Sequence, residues 1–268
     1  MKAILLTSTF RRHQAVANYV ATRCELAGVW QETKTFLPER YAASPDDHVV
    51  IQEHFDARDA SEAQYFAADA ALRIDGDTVV RRVEGNGCND AAEVRAMAAL
   101  RPDVVLVFGT GILRETLLSA FAGRIINIHL GLSPYYRGAG TNFWPLVNRE
   151  PEYVGATIHY LDAGIDTGPI LAHARPPIES GDGPHDLGNK TIVAAARLLI
   201  DAAEAHVNGR VTAVPQRSGG RLYQRKDFNA DAVRRLTQNF ETGMIDEYLA
   251  DRVRRDAVLD LVELNQPV

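Results

Sequence analysis

Val104-Val105-Leu106-Val107-Phe108, followed at once by Gly109-Thr110-Gly111, decides the fold. An unbroken apolar run with no polar face suits a central parallel strand covered on both sides. The glycines after it mark a turn out of the sheet. Upstream, Ile4-Leu5-Leu6 repeats the pattern, and Thr7-Ser8-Thr9 offers capping hydroxyls to a helix expected over 11–26, with Ala15, Val16, Tyr19 and Val20 facing in. Gly28-Val29-Trp30 begins the next strand. Residues 36–66 carry Pro38, Pro45 and Asp46-Asp47, and predict an irregular excursion ending in a helix over 61–72. Thr78-Val79-Val80 is a short strand, and Asn89-Asp90 caps a helix reaching Leu100.

Downstream, the pattern predicts a helix over 114–121, a strand over 124–129, a short helix over 142–147, strands over 153–160 and 169–174, and a long helix within 182–209. This alternation is the α/β signature. It predicts an open, mostly parallel twisted sheet with helices on both faces over 1–210, and a small helical C-terminal extension over 211–268. In that extension Arg221-Leu222-Tyr223 is a short strand candidate. Ile245, Leu249, Val253, Ala257 and Leu261 predict one amphipathic helix over 244–264. An exposed stripe on it would suit a homodimer.

Composition fits a globular chain of 268 residues, 46% hydrophobic and 24% charged. It excludes a disordered chain, a fibre and a disulfide scaffold. Lys and Arg total 29 against 35 acids, a formal charge of −6, which disfavours nucleic-acid and anionic-membrane partners. The basic group Arg252, Arg254 and Arg255 lies in a stretch where acids outnumber bases, and reads as a solvated helix face. Cys24 and Cys88 have no metal or disulfide spacing, so no metal is expected and a reducing cytoplasm is the default. No stretch approaches the roughly 18 apolar residues of a membrane span.

The chemistry is concentrated between Asn127 and Gly168. Asn127 and His129 are two apart at a strand end, so they share a face at the crevice where open α/β sheets bind ligands. The loop Tyr135-Tyr136-Arg137-Gly138 can approach a ligand closely, and its tyrosines suit stacking. Arg11 opens the first helix, a natural anion site. Asp162-Ala163-Gly164-Ile165-Asp166-Thr167-Gly168 is a tight loop presenting a carboxylate. Asn, His and Asp together supply an oxyanion donor, a proton acceptor and an orienting charge.

Asn127-x-His129, then Leu132-x-Pro134-x-Tyr136-Arg137-Gly138, Gly155-x-Thr157-x-His159 and Asp166-x-Gly168 resemble the 10-formyltetrahydrofolate-dependent formyltransferase family. That family includes glycinamide ribonucleotide transformylase, methionyl-tRNA formyltransferase and the nucleotide-sugar N-formyltransferases. The likeness is strongest over about 102–175 and weaker over 1–210. It implies a formyltransferase-like, Rossmann-type fold and N10-formyltetrahydrofolate as formyl donor. It implies a catalytic set of Asn127, His129 and Asp166, supported by Thr157 and His159. The donor would lie between Phe108-Gly109-Thr110-Gly111-Ile112-Leu113 and the Asp162, Gly164 and Ile165 segment; Arg11, Tyr135, Tyr136, Arg137 and Gly138 would meet the acceptor.

The implied reaction is formyl transfer to the amine of a small acceptor. The first helix lacks the Gly-rich phosphate loop of the purine enzyme, and the short helical tail is unlike the β-barrel extension of the tRNA enzyme. By elimination, a nucleotide-linked amino sugar is the expected acceptor. The rivals are an amino acid, hydroxyornithine or peptide-carrier amine, a hydrolase of the same donor, and a non-catalytic ligand sensor. The hydrolases carry an extra N-terminal domain, whereas this chain starts on its first strand.

Overall fold

The computed structural model describes residues 1–34, 37–74, 76–164 and 166–264. Phe36 and Ile165 lie outside the described residues. Nine strands and nine α-helices follow in chain order among the described residues: β1 (Lys2–Ser8), α1 (Arg11–Ala21), β2 (Glu25–Thr33), α2 (Pro45–Tyr65), β3 (Val79–Glu84), α3 (Ala91–Ala99), β4 (Val104–Phe108), α4 (Glu115–Ala120), β5 (Ile125–His129), β6 (Tyr136–Gly138), α5 (Trp144–Val147), β7 (Ala156–Tyr160), β8 (Ile170–Ala174), α6 (Pro184–Val207), β9 (Arg221–Tyr223), α7 (Ala230–Glu241), α8 (Met244–Ala250) and α9 (Arg252–Asp256).

The main sheet has seven strands in the order β3-β2-β1-β4-β5-β7-β8. β3 to β5 are parallel, and β7 and β8 close one side as antiparallel neighbours. Strand order reverses between β1 and β4, which opens a crevice at their carboxyl ends. All five residues of β4 are buried, because alternate side chains feed opposite cores. Leu5, Leu106, Ile126 and Ile128 pack under α1 and α6; Ile4, Leu6, Trp30, Val105, Val107 and Ile125 pack under α3 and α4. The open α/β expectation therefore holds.

Several boundaries differ from the sequence reading. α1 stops at Ala21, and Leu26 belongs to β2. The Thr7 and Ser8 hydroxyls do not cap it: Thr7 donates to the Phe108 carbonyl at 2.8 Å and Ser8 Oγ bonds His13 Nδ1. Most of the expected irregular excursion is α2. Its Pro45 occupies the first turn, and Ser44 accepts from the Asp47 amide at 3.2 Å. The expected tail helix is interrupted. α8 ends at Ala250, α9 restarts after Asp251, and among the described residues no helix continues beyond Asp256. Val253 is 89% exposed while Ile245 is buried, so the residues spaced by four share no single stripe. No helix among the described residues is long and apolar enough to cross a membrane.

A further core joins Tyr136, Trp144 and Val154 to Ala232, Leu236, Ile245 and Tyr248. β9 pairs with β6 in a separate two-stranded sheet. The C-terminal segment thus packs against the loop that follows β5.

Candidate active site

β5 sets the site. Ile126 and Ile128 face one core, so Asn127 and His129 face the other side at the open end of the sheet. Across the strand pair, Asn127 stands opposite His159 and His129 opposite Thr157. All four side chains are buried.

His159 Nδ1 lies 2.8 Å from the Tyr160 carbonyl, which can only accept, so that nitrogen carries the proton. Nε2 must then accept, and it takes the Asn127 Nδ2 amide at 3.0 Å. This chain of bonds fixes the carboxamide orientation and leaves Asn127 a second N–H to offer. Burial, reinforced by nearby His129, holds His159 down at about 4, so it is neutral at working pH.

His129 Nδ1 lies 3.3 Å from Asp166 Oδ2, and Asp166 Oδ1 is 3.9 Å from His159 Nε2. Asp166 sits at φ +52°, a left-handed conformation that Asp tolerates better than most residues. Its loop is tied by Asp162 Oδ1, which accepts from the Gly164 amide at 3.0 Å and the Thr167 hydroxyl at 2.7 Å. His129 Nε2 is buried and has no hydrogen-bond partner among the described residues. A Cβ on Gly131 would stand 2.9 Å from that nitrogen, so glycine keeps the space beside it clear. A buried unpaired nitrogen is costly unless a ligand meets it. A carboxylate on one nitrogen and nothing on the other is the arrangement of a proton acceptor.

Thr157 braces the loop after β5: its hydroxyl donates to the Gly131 carbonyl at 2.6 Å and accepts the Ser133 amide at 2.9 Å. On one side the segment after β4 emerges, with Ile112 65% exposed and Leu113 partly buried against the core. Gly109 is at φ +78° and its missing Cβ makes room for His13. Phe108 is buried in the core, edge-on to His13 at 4.8 Å. On the other side Leu130 opens onto a cavity of about 220 Å³. Arg12, His54, Asn142, Phe143 and His185 share its lining.

The expected acceptor contacts do not gather at this cavity. Arg11 reaches the Phe66 carbonyl at 3.4 Å, and its neighbour Arg12 faces the cavity instead. Tyr136 is 1% exposed and stacked on Tyr223, which makes it core. Tyr135 packs on Tyr153 and accepts the Asp260 amide at 2.7 Å. Gly138 pairs with Tyr223, and Arg137 Nε is buried without a partner among the described residues.

The sequence reading missed the cavity residues of α2, because an irregular loop assigns no face. It also missed Asn142, whose Oδ1 accepts the Gly155 amide at 3.0 Å while Nδ2 is buried and unpartnered among the described residues.

Residues 31–203 match the family described as formyl transferase. The chain belongs to that family. A methionyl-tRNA formyltransferase of Methylacidiphilum infernorum is 33% identical over 139 residues, 52% of this chain and 43% of that protein. A phosphoribosylglycinamide formyltransferase of Mycobacterium tuberculosis is 38% identical over 126 residues, 47% of this chain and 58% of its own length. The chain thus spans about half the length of the curated relatives it matches. The formyltransferase PseJ of Anoxybacillus kamchatkensis, solved with UDP-4,6-dideoxy-4-formamido-L-AltNAc and tetrahydrofolate, superposes with a TM-score of 0.50 at 17% identity. That alignment covers 86% of this chain and 97% of PseJ, and shows the shared fold.

Proposed function

We propose that this formyl transferase family member transfers a formyl group from N10-formyltetrahydrofolate to the amine of a small acceptor, and that the acceptor is a nucleotide-linked amino sugar. The observation that carries the reading is the His129 imidazole: Nδ1 faces Asp166, and Nε2 is buried and unpartnered. The exposed Ile112 and the loop tied by Asp162 suit a flat donor ring beside it.

The donor supplies the activated one-carbon unit. Asn127, held by His159, offers its second N–H to the oxygen that gains charge as the amine attacks. His129 Nε2 takes the proton the amine must lose, Asp166 orients the ring and stabilises the imidazolium that forms, and that proton is returned to N10 as the formyl C–N10 bond breaks and tetrahydrofolate leaves. Asp162, Gly164, Gly109, Thr110, Gly111 and Leu113 are assigned to the donor side. The acceptor is assigned to the cavity beside Leu130 rather than to Arg11, Tyr135 or Tyr136.

The guanidiniums that line the cavity support a phosphate-bearing acceptor. Arg12 ion-pairs with Glu62, and Arg58 with Asp59 and Glu62, so both are held at the cavity with their charge balanced. Burial holds His54 at about 3 and His185 at about 4, so neither adds charge at neutral pH. A phosphate bound there would exchange these carboxylate partners for its own oxygens.

The test is consumption of 10-formyltetrahydrofolate with a panel of amines: nucleotide-linked amino sugars, glycinamide ribonucleotide, charged initiator tRNA, amino acids and no amine. Turnover that depends on an amino sugar nucleotide is expected. Amine-independent turnover would replace the transferase with a hydrolase, and binding without turnover would replace it with a sensor.

A further inference from the structure

Outside the Asn127–His129–Asp166 cluster, a buried carboxylate and a partly buried ammonium lie at the carboxyl ends of β2 and β4. Glu32 is fully buried there; its Oε2 accepts the Gly111 amide, and its Oε1 has no partner among the described residues. Two residues on, Lys34 donates from Nζ to the Gly109 carbonyl at 2.6 Å. The same loop is held further along by Asn89, which donates to the Ile112 carbonyl at 3.0 Å and accepts the Arg114 amide at 2.6 Å. A Cβ on Gly111 would run into Asn86 Oδ1 and stand 3.3 Å from Glu32 Oε2, so the loop is pressed against these side chains.

For the sheet alone, this is an expensive arrangement. A buried carboxylate and a half-buried ammonium both forgo water, and an apolar pair of similar size would often be as stable or more so. What the pair achieves is geometric: two charged groups grip the two peptide groups that flank Thr110. Charge-assisted hydrogen bonds to backbone are short and directional, so they fix a loop more tightly than packing does. Burial lowers Lys34 from its ordinary value, and nearby Glu32 opposes that shift.

We infer that Glu32 and Lys34 are positioning residues that clamp Gly109–Leu113 as one wall of the formyl-donor pocket. This rests on the formyl-transfer reading of the site. Neither side chain touches the donor; both act through the backbone of the loop.

The test uses tetrahydrofolate as probe, by calorimetric titration, alongside steady-state kinetics and amide hydrogen exchange of the full chain. Lys34→Met is expected to weaken tetrahydrofolate binding by about tenfold and to raise the donor KM by a similar factor, with kcat changing far less. Amide exchange in 109–113 is expected to quicken while the melting temperature holds. Lys34→Arg, which keeps the charge and a donor, is expected to restore most of the affinity. Glu32→Gln tests the other jaw, and if it fails to fold, the Lys34 pair alone decides the matter. Unchanged tetrahydrofolate affinity in a folded Lys34→Met protein would overturn the clamp. So would a loss confined to kcat. If the unsubstituted protein binds no tetrahydrofolate, the formyl-transfer reading itself falls, and that is seen before any variant is made.

Discussion

Two polar networks, one reaching the surface and one buried, lie either side of the loop that follows β5, and they are built on opposite terms. In one, the Tyr136 hydroxyl donates to Glu150 and accepts from Asn148 at 2.9 Å and from Arg221 at 2.5 Å, while Arg221 also grips Glu150. None of these four residues has a buried side-chain atom without a partner. In the other, Asn127 bonds His159 at 3.0 Å and Asp166 stands 3.3 Å from His129 and 3.9 Å from His159, while His129 Nε2 is left alone and Asp166 is held in a left-handed conformation. A satisfied network supports the fold; an unsatisfied one is tolerated where a ligand completes it. Density of polar residues does not separate the two. The orphaned nitrogen does.

The comparison can be broken by substitution. His129→Ala is expected to have the largest effect, lowering kcat by about 10²–10⁴ with a near-native melting temperature. A rate within a factor of a few of the unsubstituted enzyme, with unchanged circular dichroism, would remove the imidazole from the chemistry. Asn127→Ala is expected to cost about 10²–10³ in kcat, again with the fold retained. Tyr136→Phe should behave in the opposite manner. It leaves Glu150 and Arg221 paired but removes their shared hydroxyl, so denaturant unfolding should show a loss of about 1–3 kcal/mol while kcat stays close to normal. A Tyr136→Phe protein of full stability and crippled turnover would reverse the assignment of the two networks.

The smallest expected effect concerns pH. Burial depresses His54 to about 3 and His159, His173 and His185 to about 4. In the unfolded chain each would titrate near 6.5. Between these values the unfolded state binds more protons, so stability is full above about pH 6.5 and falls as pH drops toward 4. Thermal melts should show a melting temperature that falls steadily between pH 7 and 5. A flat profile would mean that these rings are solvated.

Much of this was legible in the chain. The unbroken run of β4 and the polar ending of β5 fixed both the sheet and the place of Asn127 and His129, because strand periodicity puts residues two apart on one face. α2 was not, although its signals are present. Pro45 and the Asp46-Asp47 pair are favourable in a first turn but read equally as loop, and only Ile51 and Glu62 of the helix are buried, so no apolar stripe announces it. The tail misled for the converse reason: a spacing of four persisted past Asp251, where α8 ends.

The aromatic loop shows the same limit. Tyr135 and Tyr136 are equally plausible ligand contacts until the C-terminal segment covers them through β9 and Asp260. Glu32 and Lys34 carried a signal that could have been read, since polar residues ending a buried strand are what drew attention to Asn127 and His129.

The chain by itself determined the alternation of strands and helices and the face on which Asn127 and His129 stand, since both follow from local periodicity and apolar burial. Tertiary structure alone decided which amide His159 orients, which nitrogen of His129 stays unpaired, and which flank of the crevice α2 lines. Those outcomes depend on antiparallel pairing of β7 with β5 and on packing between segments more than a hundred residues apart, and no local pattern encodes a contact whose two halves are that remote.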